Sequence, residues 1–121
     1  LGVVPIEELK WIYKNADALV FPTLLGPNNF PPIEAMSLGV PVIVSDIIGH
    51  RNQLQENALF FDPLCPESLA SQIKRLVGDP TLRKKLINSG SRFVESLSPD
   101  NYVTELLECA DEFAPYLSTY R

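Results

Sequence analysis

Apolar positions along the chain fall into two periods. Four short runs are almost continuously apolar or β-branched: Gly2-Val3-Val4, Ala18 to Phe21, Val40 to Ser45 (Val-Pro-Val-Ile-Val-Ser) and Ala58 to Phe61. Each is followed by Pro or Asp (Pro5, Pro22, Asp46, Asp62), the punctuation of strand ends. Runs without polar alternation fit strands covered on both faces, as in a parallel sheet between helices. Helical spacing fills the intervals. Leu9, Ile12, Tyr13 and Ala16 recur on one face after Pro5, and residues 32–39 form a two-turn helix closed by Gly39, with Pro41 two positions on. From Pro66 the strands cease and three helices are predicted: Pro66 to Val77, closed by Gly78; Pro80 to about Ser96; and Pro99 to about Phe113. The residues before those prolines are Cys65, Asp79 and Ser98, the last two good N-caps. The pattern predicts an α/β fold with a parallel sheet of about four strands and flanking helices, followed by C-terminal helices. Residues 1–63 are read as βαβαββ and residues 64–121 as helical.

Composition narrows the function classes. The 121 residues are 45% hydrophobic and 21% charged, an ordinary globular balance. Fifteen acidic against ten basic side chains give a formal charge of -5, a field that repels nucleic acid. Cys65 and Cys109 lie in no metal-ligand spacing and read as free thiols of a reducing compartment. Neither a signal peptide nor a membrane-spanning run is recognisable, and no repeat or low-complexity segment is found. A cytoplasmic location is expected. Basic residues cluster between 74 and 92 (Lys74, Arg75, Arg83, Lys84, Lys85, Arg92) and acidic ones between 95 and 112. The reading given most weight is that these two segments pair or are solvated; the lesser one is that Arg83-Lys84-Lys85 faces an anionic surface.

The chemistry concentrates in residues 21–41, which read as strand, loop, short helix, strand. Such a loop leaves the carboxyl end of a strand, where ligands bind in open α/β sheets. Five of the nine residues from Thr23 to Pro31 are Gly, Pro or Asn, which fix the backbone path and can turn N–H groups outward toward an anion. A helix starting near Pro32 would add its positive end. Glu34 stands in the first turn of that helix. It either stabilises the helix N-terminus or points into the crevice, where a carboxylate accepts hydrogen bonds from a pair of sugar hydroxyls. His50, the only histidine, has no neighbouring nucleophile or ligand set and is expected on a surface loop. Asp46 is either a crevice group or a cap on the following turn. Tyr13 is expected to pack on the sheet and Trp11 to be partly exposed.

Phe21-Pro22-Thr23, Glu34-Ala35-Met36 and Gly39-Val40-Pro41-Val42 together resemble the signature of nucleotide-sugar-dependent retaining glycosyltransferases of the two-Rossmann-domain (GT-B, GT4-like) type. There, a strand ending in Phe-Pro-Ser precedes Glu-x7-Glu, Ala-Met and Gly-x-Pro-Val. Gly2 to Leu9, Asn15 to Ala18 and Ala58 to Pro63 resemble the flanking elements. The resemblance implies that Glu34 binds the ribose hydroxyls of a UDP- or GDP-sugar. The first glutamate of the pattern, which contacts the transferred sugar, falls on Gly26, and the usual Gly-Phe-Gly-Leu is replaced by Pro27-Asn28-Asn29-Phe30. Backbone N–H contacts to the sugar are expected to persist at Asn28, Asn29 and Phe30, with Pro31 closing the donor-binding loop, whereas Pro27 has no N–H to offer. Asn28 or Asn29 either substitutes for the missing carboxylate or shapes the turn.

The resemblance implies neither cofactor nor metal, no catalytic residue within these positions, and an acceptor glycan or lipid held by an N-terminal domain outside them. It further implies a chain beginning at the third of six strands ordered 3-2-1-4-5-6, hence a fragment inactive alone. The exposed sheet edge would then re-pair with the first run or join two copies. Peripheral attachment of the parent at the inner membrane is an accompanying expectation. Two other classes compete: a non-catalytic binding or regulatory α/β module, which Gly26 in place of glutamate would suit, and a receiver-like signalling domain. The second needs an acidic pair after the first strand and a lysine near the last, and neither Val4-Pro5 nor Asp62-Pro63 fits.

Overall fold

The computed structural model describes residues 2–26, 29–97 and 103. In chain order the elements are α1 (Ile6–Asn15), β1 (Leu19–Phe21), α2 (Phe30–Ser37), β2 (Val42–Ser45), α3 (Ile48–Leu54), β3 (Leu59–Phe61), α4 (Pro66–Gly78) and α5 (Pro80–Ser96). The three strands form one parallel sheet in the order β1-β2-β3. Leu19 stands opposite Val42 and Ile43 opposite Leu59.

β2 is the centre of the molecule, and all four of its residues are buried. Successive side chains of a strand point to opposite faces. Val42 and Val44 join Ala35, Met36, Val40, Leu54 and Ala58 in one apolar cluster. Ile43 joins Leu59, Phe61, Leu76 and Leu86 in another. The helices covering these faces are α2 and α3 on the first and α4 on the second. α5 serves both, with Leu82 and Leu86 in the second cluster and Phe93 and Val94 against the first. This is the two-sided coverage that unbroken apolar strands require.

The helix ends follow local chemistry. Asp79 caps α5, its carboxylate accepting from the Leu82 N–H at 2.9 Å. α2 stops where Gly39 takes φ +74. There Val40 N–H donates to the Ala35 carbonyl at 2.9 Å and Gly39 N–H to Met36 at 3.1 Å, the paired bonds of a Schellman close. Arg83 of α5 donates to the Asp17 carbonyl at 2.7 Å, so the basic trio of residues 83–85 is partly committed to holding the turn before β1.

Three sequence expectations need correction. Gly2 to Val4 is not a strand: Gly2 adopts φ +67, outside the extended region, and Val3 is fully exposed, so the run neither buries its side chain nor forms a ladder. The sheet therefore has three strands among the described residues, and β1 has a neighbour only on its β2 side. The short helix begins two residues earlier than expected, at Phe30, and ends at Ser37. A helix, α3, occupies what reads as a loop around His50. The helix expected over Pro99 to Phe113 lies outside the described residues apart from Val103, which is helical; Cys109 and most of the acidic segment also lie outside them.

Candidate functional site

The carboxyl ends of β1 and β2 open on a cleft of about 740 Å³ lined by Leu24, Leu25 and Gly26 from the loop after β1, by Asp46 just beyond β2 and by Ile48 and Asn52 of α3. This is where the architecture of open α/β sheets puts ligands. Leu24, Leu25 and Ile48 are exposed and give the cleft an apolar lip. On its lining the exposed Asp46 carboxylate accepts two 2.6 Å hydrogen bonds, from Arg51 Nε and Nη2. The Arg51 guanidinium also lies 3.9 Å from the centroid of the Phe60 ring. The hydrogen bonds from Arg51 hold the Asp46 carboxyl below its ordinary value. Of the two sequence readings of Asp46, the cleft position is the one realised, and its side chain caps no helix.

Glu34 lies elsewhere. It is exposed on α2 and lines a second cleft of about 310 Å³ with Ile6, Leu9, Lys10, Tyr13 and Ser37. The Tyr13 hydroxyl donates to Glu34 Oε2 at 3.2 Å. Burial first, and then the neighbouring Glu34 charge and hydrogen bond, push the Tyr13 phenol above its ordinary value. Tyr13 therefore packs against the first apolar cluster through its ring and steers the carboxylate through its hydroxyl. Gly26 and Glu34, the two ends of the expected motif, line different clefts among those described.

The expected anion receptor at the start of α2 is weaker than the sequence implied. Because the helix begins at Phe30, Pro31 and Pro32 fill its second and third positions. Of the four N–H groups that open an α-helix without intrahelical partners, here those of residues 29–32, Pro31 and Pro32 have none to give and that of Asn29 donates to Gln53 Oε1 at 3.0 Å, which leaves Phe30. The same prolines remove the partners that a cap side chain would serve, and Asn29, the N-cap residue, makes no capping bond.

Asn29 turns instead to α3. Its side-chain nitrogen lies 2.8 Å from His50 Nε2 and 3.4 Å from the Gly26 carbonyl, while its backbone N–H and carbonyl are both bonded to the Gln53 amide at 3.0 Å. His50 is fully buried, contrary to the surface loop expected from its sequence context. Its Nδ1 is 2.8 Å from the Ser45 carbonyl, which only accepts, so Nδ1 carries the proton and Nε2 accepts from Asn29. Gln53 is a residue that sequence reasoning missed; its place three positions after His50 on α3 was the signal, hidden while that stretch read as a loop. Of the remaining expected residues, Phe30 is exposed and Pro31 half-buried, and Asn28 lies outside the described residues. No group of His, Cys, Asp or Glu among the described residues could hold a metal ion, and no helix among them is long and apolar enough to cross a membrane.

Comparison with known proteins gives the family. Residues 1–93 match the family model of glycosyl transferases group 1. An uncharacterized glycosyltransferase of Methanocaldococcus jannaschii is 33% identical over 87% of this chain and 28% of its own length. The O-antigen chain mannosyltransferase RfbU of Salmonella typhimurium is 38% identical over 77% of this chain and 26% of its own. In structure, 98% of the chain matches 30% of sucrose-phosphate synthase from Thermosynechococcus elongatus, with a TM-score of 0.74 and 27% identity. The chain thus spans little more than a quarter of the curated relatives it matches, and its parallel sheet with flanking helices is a fragment of the Rossmann-like GT-B architecture. With the motif, the fold and the relatives in agreement, the chain belongs to the glycosyl transferases group 1 family.

Proposed function

We propose that this chain is the donor-binding portion of a glycosyltransferase that moves a hexose from a nucleotide sugar to an acceptor glycan or lipid with retention. The observation that carries the reading is Glu34: an exposed carboxylate, oriented by Tyr13 at the edge of a cleft, on the helix that follows the β1 loop. A carboxylate so placed accepts two hydroxyls of a ribose. On this reading Gly26 and the backbone through Asn28, Asn29, Phe30 and Pro31 meet the sugar end of the donor. Residues 1–63 then form the donor-binding part and residues 64–121 its helical support. The -5 charge gives no help with a diphosphate, which the parent must hold with basic groups elsewhere, so the isolated chain binds donor without transferring it.

Mannosyltransferases among the relatives favour testing guanosine donors beside uridine donors. Calorimetric titration with UDP, GDP and their sugars is expected to give binding that Glu34→Ala weakens at least tenfold, since removing a charged hydrogen-bond partner costs about 1.5–3 kcal/mol. Equal affinity of the variant would refute the assignment. Gly26 in place of the first glutamate favours a second reading, a binding module without transfer chemistry. A full-length parent that binds donor yet transfers no sugar to any acceptor would establish it.

A further inference from the structure

We propose that His50, together with Gln53, is a positioning residue for the sugar end of the donor site, acting through Asn29. The inference rests on the donor-site reading above and names the device that sets its geometry. Three observations meet at one residue. Asn29 is held at its side chain by His50 Nε2, 2.8 Å away, and at both backbone polar groups by Gln53 at 3.0 Å. The His50 ring is itself fixed, buried completely, bonded through Nδ1 to the Ser45 carbonyl at the end of β2 and packed 5.8 Å from the Phe21 ring at the end of β1. Finally, Asn29 folds back on Gly26: its amide lies 3.4 Å from the Gly26 carbonyl, and a Cβ built on Gly26 would come within 2.6 Å of the amide atoms.

The consequence is a chain of contacts from the two strand ends to the loop. Ser45 and Phe21 fix His50, His50 and Gln53 fix Asn29, and Asn29 sits where any side chain at position 26 would have to go. Asn29 is also the residue from which α2 departs. Nothing at that helix end competes for its side chain, because Pro31 and Pro32 offer no N–H. The two residues bracketing the loop, Gly26 and Asn29, are thereby referred to the rigid sheet rather than left to the loop's own preferences, which is how a binding geometry is pre-organised. His50 touches no donor on this account. Its effect is exerted on the part of the ligand nearest Gly26.

The test is a comparison of free nucleoside diphosphate with the corresponding nucleotide sugar, by calorimetry on the full 121-residue chain. His50→Phe keeps a ring against Phe21 but removes both nitrogens; Asn29→Ala removes the partner without touching the core. Each is expected to weaken nucleotide-sugar binding about tenfold, and to weaken the free nucleoside diphosphate distinctly less. The double variant should be no worse than the poorer single one. A purely structural role for His50 predicts equal losses on both ligands and additive effects, and that result would overturn the proposal. So would unchanged nucleotide-sugar affinity in Asn29→Ala. Failure of the wild-type chain to bind, or indifference to Glu34→Ala, would instead remove the donor-site reading and this inference with it.

Discussion

The Tyr13 hydroxyl donates a hydrogen bond to the Glu34 carboxylate at 3.2 Å, across an interval of 21 residues. It ties the first helix to the helix that follows the β1 loop and fixes a rotamer that an exposed glutamate would otherwise lose. The bond joins an element common in βαβ units to the one side chain with a specific chemical expectation, so its disruption separates positioning from chemistry.

The phenol reports on that contact directly. Burial and the Glu34 charge both raise the Tyr13 value, so the neutral phenol is the form the fold favours. The stabilisation it contributes is therefore present at every pH below the ordinary phenol value and is lost as pH rises through the higher folded value. The phenolate absorbance difference between wild type and Tyr13→Phe is expected to titrate above the ordinary phenol value. In Glu34→Gln the midpoint should fall only part of the way, because desolvation is the larger cause. A midpoint unmoved by Glu34→Gln would show that the contact is absent in solution.

The Asp46–Arg51 pair has the opposite sign. Arg51 lowers the Asp46 carboxyl, so its contribution is complete above the ordinary carboxylate value and disappears as pH falls through the lower folded one. The side chains are 43% and 52% exposed, and solvent screening keeps the effect small. Asp46→Asn is expected to cost no more than about 1 kcal/mol near neutral pH. The urea midpoints of variant and wild type should converge as the solution is acidified. A difference that persisted unchanged into acid would assign the loss to packing beside the cleft instead.

Much of this fold is legible in the residues because local signals and burial agree. The central run of residues 40–45 reads as a buried strand and β2 is one, with Val42 and Ile43 on opposite faces. Pro80 preceded by Asp79 reads as a capped start and behaves as one. The failures share a cause, which is that tertiary contact decides where local preference is weak. Gly2 to Val4 has strand-like residues but no neighbour to pair with. α3 has Ile47 rather than a polar residue at its N-cap and spans only seven residues, so its existence depends on burying His50 and Leu54. In the candidate site, the motif singles out Glu34 as a residue to examine, while its contact with Tyr13 is seen only in the fold. The clamp on Asn29 was not legible, because His50, Gln53 and Asn29 are brought together only by the register of β1 and β2.

Core substitutions should separate global stability from the site. Ile43 is completely buried at the centre of the sheet. Ile43→Ala is expected to cost about 2–5 kcal/mol through lost burial and a residual cavity, read as a lower urea midpoint. Gly39 holds φ +74 at the close of α2. Gly39→Ala should cost roughly 1–2 kcal/mol from left-handed strain alone, without creating any cavity. If Gly39→Ala unfolds at the wild-type midpoint, the helix does not end in the observed close.

The coupling of positions 26 and 29 makes the most specific demand. Gly26 adopts φ +148, and a Cβ there would lie 2.6 Å from both polar atoms of the Asn29 amide. Two separate costs follow from Gly26→Ala. The backbone conformation is strained for any L side chain, at about 1–3 kcal/mol, and the clamped Asn29 amide must leave His50 to make room. Asn29→Ala removes the second cost but not the first, at the expense of the amide's own hydrogen bonds. The double variant should therefore be less destabilised than the sum of the single ones by roughly 0.5–3 kcal/mol, the range for residues in direct contact. Urea unfolding of the four proteins measures this difference. Strict additivity would mean that Asn29 does not rest on Gly26 in solution, and that the absence of a side chain at position 26 answers to backbone conformation alone.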